Sequence, residues 1–229
     1  MTRGRSAHVT IWILAIAAFA GQTAPCIAQA LSQADINGLL SQIRQRRAAS
    51  PYVQASFREE KSIHLMARPV VSAGKVWFEP PNKFRREVQG SSPSITVSDG
   101  KQLWIYYPNF KSAERYELGK RSPLDAAVAA INTALNLENV ENTFTISGSK
   151  ADKGYQLRLL PRNPSMKRVF QTFDLTLDQE LFVSRTEMAQ PNGDRIVTEY
   201  SNQSRAAIPA GTFEFKPPAG TEISTPLGR

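Results

Sequence analysis

Few side chains in this sequence have the chemistry to move a proton, attack carbon or bind a metal ion. The chain contains two histidines, His8 and His64, and one cysteine, Cys26. His8 and Cys26 lie in an N-terminal leader described below, so His64 is the one imidazole left for acid–base work. His64 falls within a predicted strand, where we interpret it as an ordinary surface or edge residue.

The acidic residues do not form a recognisable catalytic arrangement either. Glu59 and Glu60 are adjacent, and adjacent strand residues face opposite sides of a sheet, so they cannot act as a carboxylate pair there. Asp99 falls in a predicted turn, where its short side chain bonds to local backbone. The motifs Gly-x-Ser-x-Gly and His-Glu-x-x-His and the phosphate-binding glycine loops are absent from the sequence. We therefore expect a protein that is not an enzyme and that uses no metal or cofactor.

The first thirty residues have the features of a cleaved export signal. Arg3 and Arg5 precede an apolar run over residues 9–20 that is too short for a comfortable membrane span. Residues 28–30 form an Ala-x-Ala cleavage site. The sequence thus predicts a signal peptide over residues 1–30 that is removed after export.

The remaining chain is predicted to be a single domain over residues 31–229. No second apolar run of membrane length follows the leader, so we expect a protein that is soluble in the bacterial periplasm. Lipidation at Cys26 is the alternative, although the preceding Thr-Ala-Pro fits the usual lipobox poorly.

The chain is basic, with 28 Lys and Arg against 20 Asp and Glu and a formal net charge of +8. Nucleic acid is a poor explanation for an exported protein, so we expect no nucleic-acid partner. The basic groups either form a solvated surface or a positive rim that meets acidic partners or anionic lipid headgroups. They are scattered along the chain as Arg44/Arg46/Arg47, Lys83/Arg85/Arg86, Lys120/Arg121 and Lys167/Arg168.

Hydrophobic periodicity predicts an N-terminal helix, two runs of strands and a second helix between them. Ser32 caps the first helix, which ends near Arg47 and carries one apolar stripe. The second helix begins at Ser122-Pro123 and is apolar on most of its surface, which favours a place between two other layers. Strands are predicted over residues 52–67, 74–78, 84–88, 94–97, 101–107, 143–147, 155–160, 170–177, 181–189, 195–200 and 213–215.

The strand at residues 101–107 is apolar on both faces. Leu103 and Ile105 point one way, and Trp104 and Tyr106 point the other. A sheet with one face in water would alternate apolar and polar residues, so something must cover both faces here. A sheet of this size curls on itself, and its concave face then encloses a core or a ligand cavity.

Four short motifs occur in an order and at a spacing typical of one known family. They are ASF at residues 55–57, KVWFEPPNKFR at residues 75–85, VSDGKQLWIYYP at residues 97–108 and FEFKPPAG at residues 213–220. Together they resemble the LolA family of periplasmic lipoprotein carriers, and the similarity spans most of the mature chain.

This resemblance implies a mainly β (α+β) fold, an unclosed antiparallel β-barrel of about 10–11 strands with helices covering the concave apolar face as a lid. It implies that acyl chains of a lipoprotein are taken from an inner-membrane ABC transporter and handed to an outer-membrane acceptor. Such a carrier performs no covalent chemistry, because burying an acyl chain supplies about 0.8 kcal/mol per CH₂. We expect it to act as a monomer.

The apolar pattern and the resemblance together select a candidate lipid site. Phe84 matches an aromatic residue near the cavity mouth that the family uses in cargo and transporter contacts, and the helix from Pro123 matches the lid. The predicted cavity-mouth and lid residues are Pro80, Arg85, Arg86 and Ala127. The predicted lipid- and cargo-binding residues are Phe57, Trp77, Phe78, Phe84, Val97, Leu103, Trp104, Ile105, Tyr106, Leu124, Val128 and Ile131.

Two positions depart from the family pattern. The best-known members carry an arginine immediately before the Pro-Asn pair, which holds the lid closed by hydrogen bonds. This chain has Pro80 there, and proline cannot donate. The lock is therefore missing or supplied by Arg85 or Arg86. Arg86 also stands where those members carry a tryptophan, so a divergent paralogue that carries another lipid, or a periplasmic lipid or lipoprotein sensor, is the alternative function.

Overall fold

The computed structural model describes residues 29–119, 137 and 139–226. Most of the predicted leader, including Cys26, lies outside the described residues. The same holds for the predicted lid helix from Pro123, with Leu124, Ala127, Val128 and Ile131.

Among the described residues, thirteen strands form one open sheet in the order β1-β8-β9-β10-β11-β12-β2-β3-β4-β5-β6-β7-β13. Strand β13 pairs in parallel with β7, and the other pairs between described strands are antiparallel. The strands are β1 (Gln29–Ala30), β2 (Val53–Ser62), β3 (Val70–Glu79), β4 (Lys83–Gln89), β5 (Ser94–Ser98), β6 (Gln102–Tyr107), β7 (Ser112–Glu117), β8 (Phe144–Ala151), β9 (Gly154–Pro161), β10 (Thr172–Leu177), β11 (Val183–Ala189), β12 (Arg195–Ser204) and β13 (Glu222–Ser224). The predicted fold class, a mainly β unclosed sheet with a helix, is thereby confirmed.

Helix α1 (Gln33–Ala49) forms as the sequence predicts. Its N-cap Ser32 accepts a hydrogen bond from the Asp35 N–H at 3.2 Å, and the Asp35 carboxylate accepts one from the Ser32 N–H at 3.0 Å. The hydrogen bonds from Ser32 lower the pKa of Asp35. Arg46 and Arg47 occupy the last turn, where cations suit the helix dipole.

The remaining described helices are short, namely α2 (Val140–Thr143), α3 (Pro164–Lys167) and a 3₁₀ turn at Pro108–Phe110. Within the described residues, no helix combines the length and the apolar character that crossing a membrane requires.

The hydrophobic core lies between α1 and strands β8–β10. The apolar stripe of α1, which consists of Ile36, Leu39, Leu40 and Ile43, is buried against this part of the sheet. Its partners include Phe144, Leu157, Leu159, Phe170, Phe173, Leu175 and Leu177. Helix α1 thus fills one half of the concave face of the sheet.

The opposite, convex face of the sheet is covered at strand β6. The Phe215 ring lies 5.8 Å from the Trp104 ring and 5.6 Å from the Tyr106 ring, centroid to centroid. The guanidinium carbon of Arg115 lies 5.8 Å from the centroid of Trp104. The segment after β12 therefore covers Trp104 and Tyr106 on the convex face. This explains how residues 101–107 can be apolar on both faces.

Three details differ from the sequence-based expectations. Residues 213–215 do not form a strand, because this segment turns and packs through Phe215 instead. Strand β7 and the short strands β1 and β13 were not predicted. His64 lies in the exposed turn between β2 and β3 rather than within a strand, and its backbone N–H donates to Asp194 Oδ1 at 2.9 Å.

Candidate ligand-binding cavity

A cavity of about 370 Å³ lies on the concave half of the sheet that α1 leaves open. It is lined by β2, β3, β4, β11 and β12, by the last turn of α1 and by the turn before β11. Phe173 of the core also lines it, so the cavity adjoins the packed half of the same face. The apolar lining residues are Pro51, Val53, Ala55, Phe57, Val76, Phe78, Phe84, Phe173, Leu181, Phe182, Val183, Met188 and Ile196.

Strand register brings three phenylalanines to this face. Phe78 of β3 pairs with Phe84 of β4 on one side and with Val53 of β2 on the other. Directly paired residues point to the same face, and residues two positions apart in a strand do so as well. Phe57 therefore joins Val53 and Ala55 of β2 in the cavity wall.

One ion pair interrupts the apolar lining. Arg86 Nη2 lies 2.9 Å from Glu59 Oε1, and both side chains are about a quarter exposed, at 29% and 24%. The guanidinium carbon of Arg86 lies 4.3 Å from the centroid of the Phe57 ring, in a cation–π position. Glu59 Oε2 also accepts from the Thr198 hydroxyl at 3.3 Å. A small polar cluster thus lies within a mostly apolar cavity.

The polar cluster continues on β12. The Tyr200 side chain is linked by hydrogen bonds to Thr186 and Thr198, and burial raises the pKa of its hydroxyl. Tyr200, Thr186 and Thr198 all line the cavity. Neutral hydroxyls and one ion pair can position a polar group of a ligand, but this set lacks a nucleophile with an adjacent base.

Gly74 makes the crossing from Arg86 to Glu59 possible. It pairs with Phe57 on β2 and with Val88 on β4, so no side chain stands between those strands at this level. A Cβ at position 74 would lie 1.8 Å from the Glu87 carbonyl oxygen and 3.0 Å from the Phe57 ring. The close approach of the Glu87 carbonyl oxygen and the Phe57 ring to this position therefore requires glycine.

A second polar region lies where α1, the turn before β11 and the end of β12 meet. Arg47, Gln203 and Arg205 line the cavity there. The guanidinium carbon of Arg205 lies 4.4 Å from the centroid of the Phe182 ring. Burial, reinforced by the nearby charge of Arg46, lowers the pKa of Arg205.

Four of the residues predicted from sequence meet in this cavity. Phe57, Phe78, Phe84 and Arg86 all line it. Leu103 and Ile105 share the concave face with them, because Leu103 aligns with Phe84 through Ser98 and Ile105 with Arg86 through Thr96. They lie on β6, two strands away from β4 and outside the cavity lining.

The other described candidates lie elsewhere. Strand alternation places Trp77, Val97, Trp104 and Tyr106 on the convex face, where Phe215 covers the β6 pair. Arg85 pairs with Trp77 on that same face.

The two remaining mouth positions are not part of the cavity lining. Arg85 donates to Glu87 Oε1 at 2.6 Å and to the Thr212 carbonyl oxygen at 3.1 Å, so it ties β4 to the covering segment. Pro80 follows β3 in the connection to β4 and is not among the lining residues.

Sequence reasoning did not select the walls contributed by β11 and β12. The signal was present in part, because Ile196, Thr198 and Tyr200 alternate along one predicted strand. Arg205 follows the end of β12, where no periodicity applies. Among the described residues, no three His, Cys, Asp or Glu side chains are grouped so that they could hold a metal ion.

Comparison with known proteins identifies a family that this chain matches. The family model "Outer membrane lipoprotein carrier protein LolA" matches residues 49–216, which is most of the chain. An outer-membrane lipoprotein carrier protein from Methylibium petroleiphilum is 26% identical over 229 residues, covering 97% of this chain and 98% of its own. One of the same name from Bordetella pertussis is 28% identical over 171 residues, covering 73% of this chain and 77% of its own.

Among solved structures, an uncharacterized conserved protein from Thermus thermophilus has the same fold. It superposes with a TM-score of 0.52 at 12% identity, covering 83% of this chain and 99% of that one. At that identity the similarity concerns the fold alone, whereas the family match extends from the end of α1 through β12 and into the covering segment. The chain therefore belongs to the LolA family of outer membrane lipoprotein carrier proteins.

Proposed function

We propose that this protein is a periplasmic carrier that holds the acyl chains of a lipoprotein in its concave cavity. The observation that carries the proposal is the apolar cavity of about 370 Å³ on the open half of the sheet, with Phe57, Phe78 and Phe84 in its wall. Its size falls within the range of small-molecule sites, about 300–1,000 Å³. Family membership supports the same function.

Burial of hydrocarbon is sufficient to drive such binding. Each buried CH₂ contributes about 0.8 kcal/mol, so a ten-carbon stretch supplies about 8 kcal/mol before the cost of association is subtracted. A carrier of this kind needs no bond-making residues. Release requires only that the acceptor offer the chain a comparable apolar environment.

We further propose the route that the family name suggests. After removal of residues 1–30, the domain over residues 31–229 would act as a monomer between an inner-membrane ABC transporter and an outer-membrane acceptor. The leader pattern supports export to the periplasm, and the relatives' name, outer-membrane lipoprotein carrier protein, supports the outer-membrane end of the route.

Native mass spectrometry of the protein purified from periplasm tests the central claim. We expect a population whose extra mass corresponds to a lipoprotein or a lipid. A clean apo mass that persists after exposure to lipoprotein-containing membrane vesicles would contradict it.

A charge placed in the apolar wall tests the location of the site. Phe84→Glu is expected to abolish uptake of an acylated lipoprotein from vesicles, because a carboxylate would be buried against hydrocarbon. The control is Lys75→Glu, a charge change at an exposed position on the other face of the adjacent strand. Equal uptake by both variants would remove Phe84 from the site.

A carrier of another lipid is the second candidate, and the Arg86–Glu59 pair favours it. An ionic pair inside the lining suits a ligand with a polar group at that depth better than bare acyl chains. The same mass measurement separates the candidates, because a lipid adds far less mass than a lipoprotein.

A further inference from the structure

We propose that the end of the cavity around Arg205 binds an oxyanion, a carboxylate or a phosphate, carried at the end of the acyl cargo. The inference rests on the second candidate of the proposed function, a carrier of another lipid, because it assigns a headgroup position within the same cavity. It specifies an anionic lipid rather than a neutral one as the preferred ligand.

The charges that line the cavity do not balance. Among the described lining residues, Arg47, Arg86 and Arg205 supply three guanidinium groups, whereas Glu59 supplies the one carboxylate. Glu59 is already engaged by Arg86 at 2.9 Å and by the Thr198 hydroxyl at 3.3 Å. The Arg86–Glu59 pair therefore leaves Arg205 without a carboxylate of its own in the described lining.

Arg205 has hydrogen-bonding capacity that the described residues do not use. Its Nη1 is buried and has no hydrogen-bond partner among them. The guanidinium lies against the Phe182 ring, which shields it from water on one side. A guanidinium carries five N–H donors, and leaving a buried donor unpaired is costly. A ligand oxygen at this position would remove that cost.

The acid that attracts Arg205 is already engaged in other hydrogen bonds. Asp178 attracts Arg205, but its Oδ1 accepts the backbone N–H groups of Glu180 at 3.0 Å and Phe182 at 2.9 Å. It therefore holds the turn before β11 in shape. Arg46 stands close enough to oppose the charge of Arg205. An arriving anion would be attracted by both arginines.

The position of Arg205 is fixed by its backbone neighbours. The Ser50 hydroxyl donates to the Arg205 carbonyl oxygen at 2.6 Å, and Gln54 Nε2 donates to the Ala206 carbonyl oxygen at 3.3 Å. Arg46 Nη1 donates to the Glu180 carbonyl oxygen at 2.7 Å, which links α1 to the turn that carries Phe182. A site whose parts are held in place loses less entropy when it binds its ligand.

The chemistry of guanidinium favours an oxyanion over other acceptors. Its planar fork matches carboxylate and phosphate oxygens with two parallel hydrogen bonds, and such charge-assisted bonds are stronger than neutral ones. The adjacent lining residues Leu181, Phe182 and Val183 offer apolar surface directly beside it. A chain with an anionic end would thus contact hydrocarbon and cation at once.

Paired fluorescent ligands test the proposal with the full-length mature protein. The probes are cis-parinaric acid, which is ionised at neutral pH, and its methyl ester, which has the same chain without the charge. The wild-type protein is expected to bind the acid about tenfold more tightly than the ester. Arg205→Met should reduce this preference to within about twofold, because binding of the acid weakens much more than binding of the ester. Lys75→Met, which removes a cation from the other face of β3, should retain the full preference.

Competition distinguishes a lipid headgroup from a free anion. Lysophosphatidic acid is expected to displace the bound acid, whereas inorganic phosphate at the same concentration should not. Displacement by inorganic phosphate alone would overturn the assignment to a cargo headgroup. If Arg205→Met does not fold, as judged by thermal unfolding, Arg205→Gln takes its place.

Two results would contradict the oxyanion site without contradicting the proposed carrier function. One is equal affinity of the wild-type protein for acid and ester, and the other is equal weakening of both by Arg205→Met. Failure of both probes to bind would instead contradict the carrier proposal itself.

Discussion

Arg86 extends from β4 across β3 and places Nη2 2.9 Å from Oε1 of Glu59 on β2, inside a cavity whose other walls are mainly hydrocarbon. Pairs of this kind contribute little net stability, because desolvation offsets attraction, yet losing one partner is costly. The pair therefore links β4 to β2. Through the contact of Arg86 with the Phe57 ring, it also holds that ring in place in the cavity wall.

Removing the carboxylate should reveal the cost of the unpaired cation. We expect Glu59→Gln to lower the free energy of unfolding by about 1–3 kcal/mol, because Arg86 keeps its charge in a half-buried site. The double variant Glu59→Gln/Arg86→Met should recover part of this loss. Urea unfolding of Glu59→Gln, of Arg86→Met and of the double variant measures the coupling between the two side chains. Strictly additive effects would show that the pair does not interact.

A methyl group at position 74 should disturb the same region. Gly74→Ala would place its Cβ 1.8 Å from the Glu87 carbonyl oxygen, so β3 or β4 must shift. We expect a loss of about 2–4 kcal/mol and weaker binding of acyl probes. Gly38→Ala is the control, since its Cβ meets nothing within 4 Å in the exposed part of α1. It should stabilise the protein by about 0.5–1 kcal/mol, and equal destabilisation of both variants in thermal unfolding would refute the argument.

The covering of the convex face can be followed through Trp104. Phe215→Ala removes the ring that lies 5.8 Å from Trp104, so the indole should become more exposed and its fluorescence should shift to the red. A Trp77→Phe background isolates this signal. The stability loss should be about 1–3 kcal/mol, at the low end for a partly buried aromatic ring. Binding of acyl probes should persist, because the cavity lies on the other face, and its loss would place the site differently.

Acid sensitivity should depend on Glu187. A hydrogen bond from Arg195, joined by one from Arg185 at 2.7 Å, lowers the pKa of Glu187 to about 2. The folded-state pKa of Glu187 lies below its ordinary value of 4.5. This contribution to stability is therefore fully present above pH 4.5 and is lost as the pH falls through about 2. The stability difference between wild type and Glu187→Gln should therefore shrink from pH 6 towards pH 2 in urea titrations. A difference that stays constant over this range would exclude the linkage.

Local patterns predicted those parts of the fold that depend on near neighbours in sequence. The capped helix α1 and the turn at Asp99, whose Oδ1 accepts from the Lys101 and Gln102 N–H groups at 2.8 and 2.7 Å, both follow from short-range chemistry. That Glu59 and Glu60 face opposite sides of the sheet follows from strand alternation alone.

Long-range contacts explain what sequence patterns did not predict. The alternation Phe-Glu-Phe at residues 213–215 is typical of a strand, yet Phe215 packs on Trp104, a residue more than a hundred positions earlier. Arg205 reaches the cavity because Ser50 holds its backbone, which no local pattern records. Aromatic residues on both faces of β6 gave no sign of which face the cavity occupies, since pairing with β4 through β5 decides it.

The outermost strands of the sheet have a consequence of their own. A half-barrel keeps two free borders, and a long bare border would invite edge-to-edge polymerisation with other chains. At one border β13, only three residues long, pairs in parallel along β7, whereas β1 at the other border lies within the predicted leader of residues 1–30. The β7 border thus ends in a strand too short to template pairing with another chain, and after cleavage of the leader β8 is the border that needs protection.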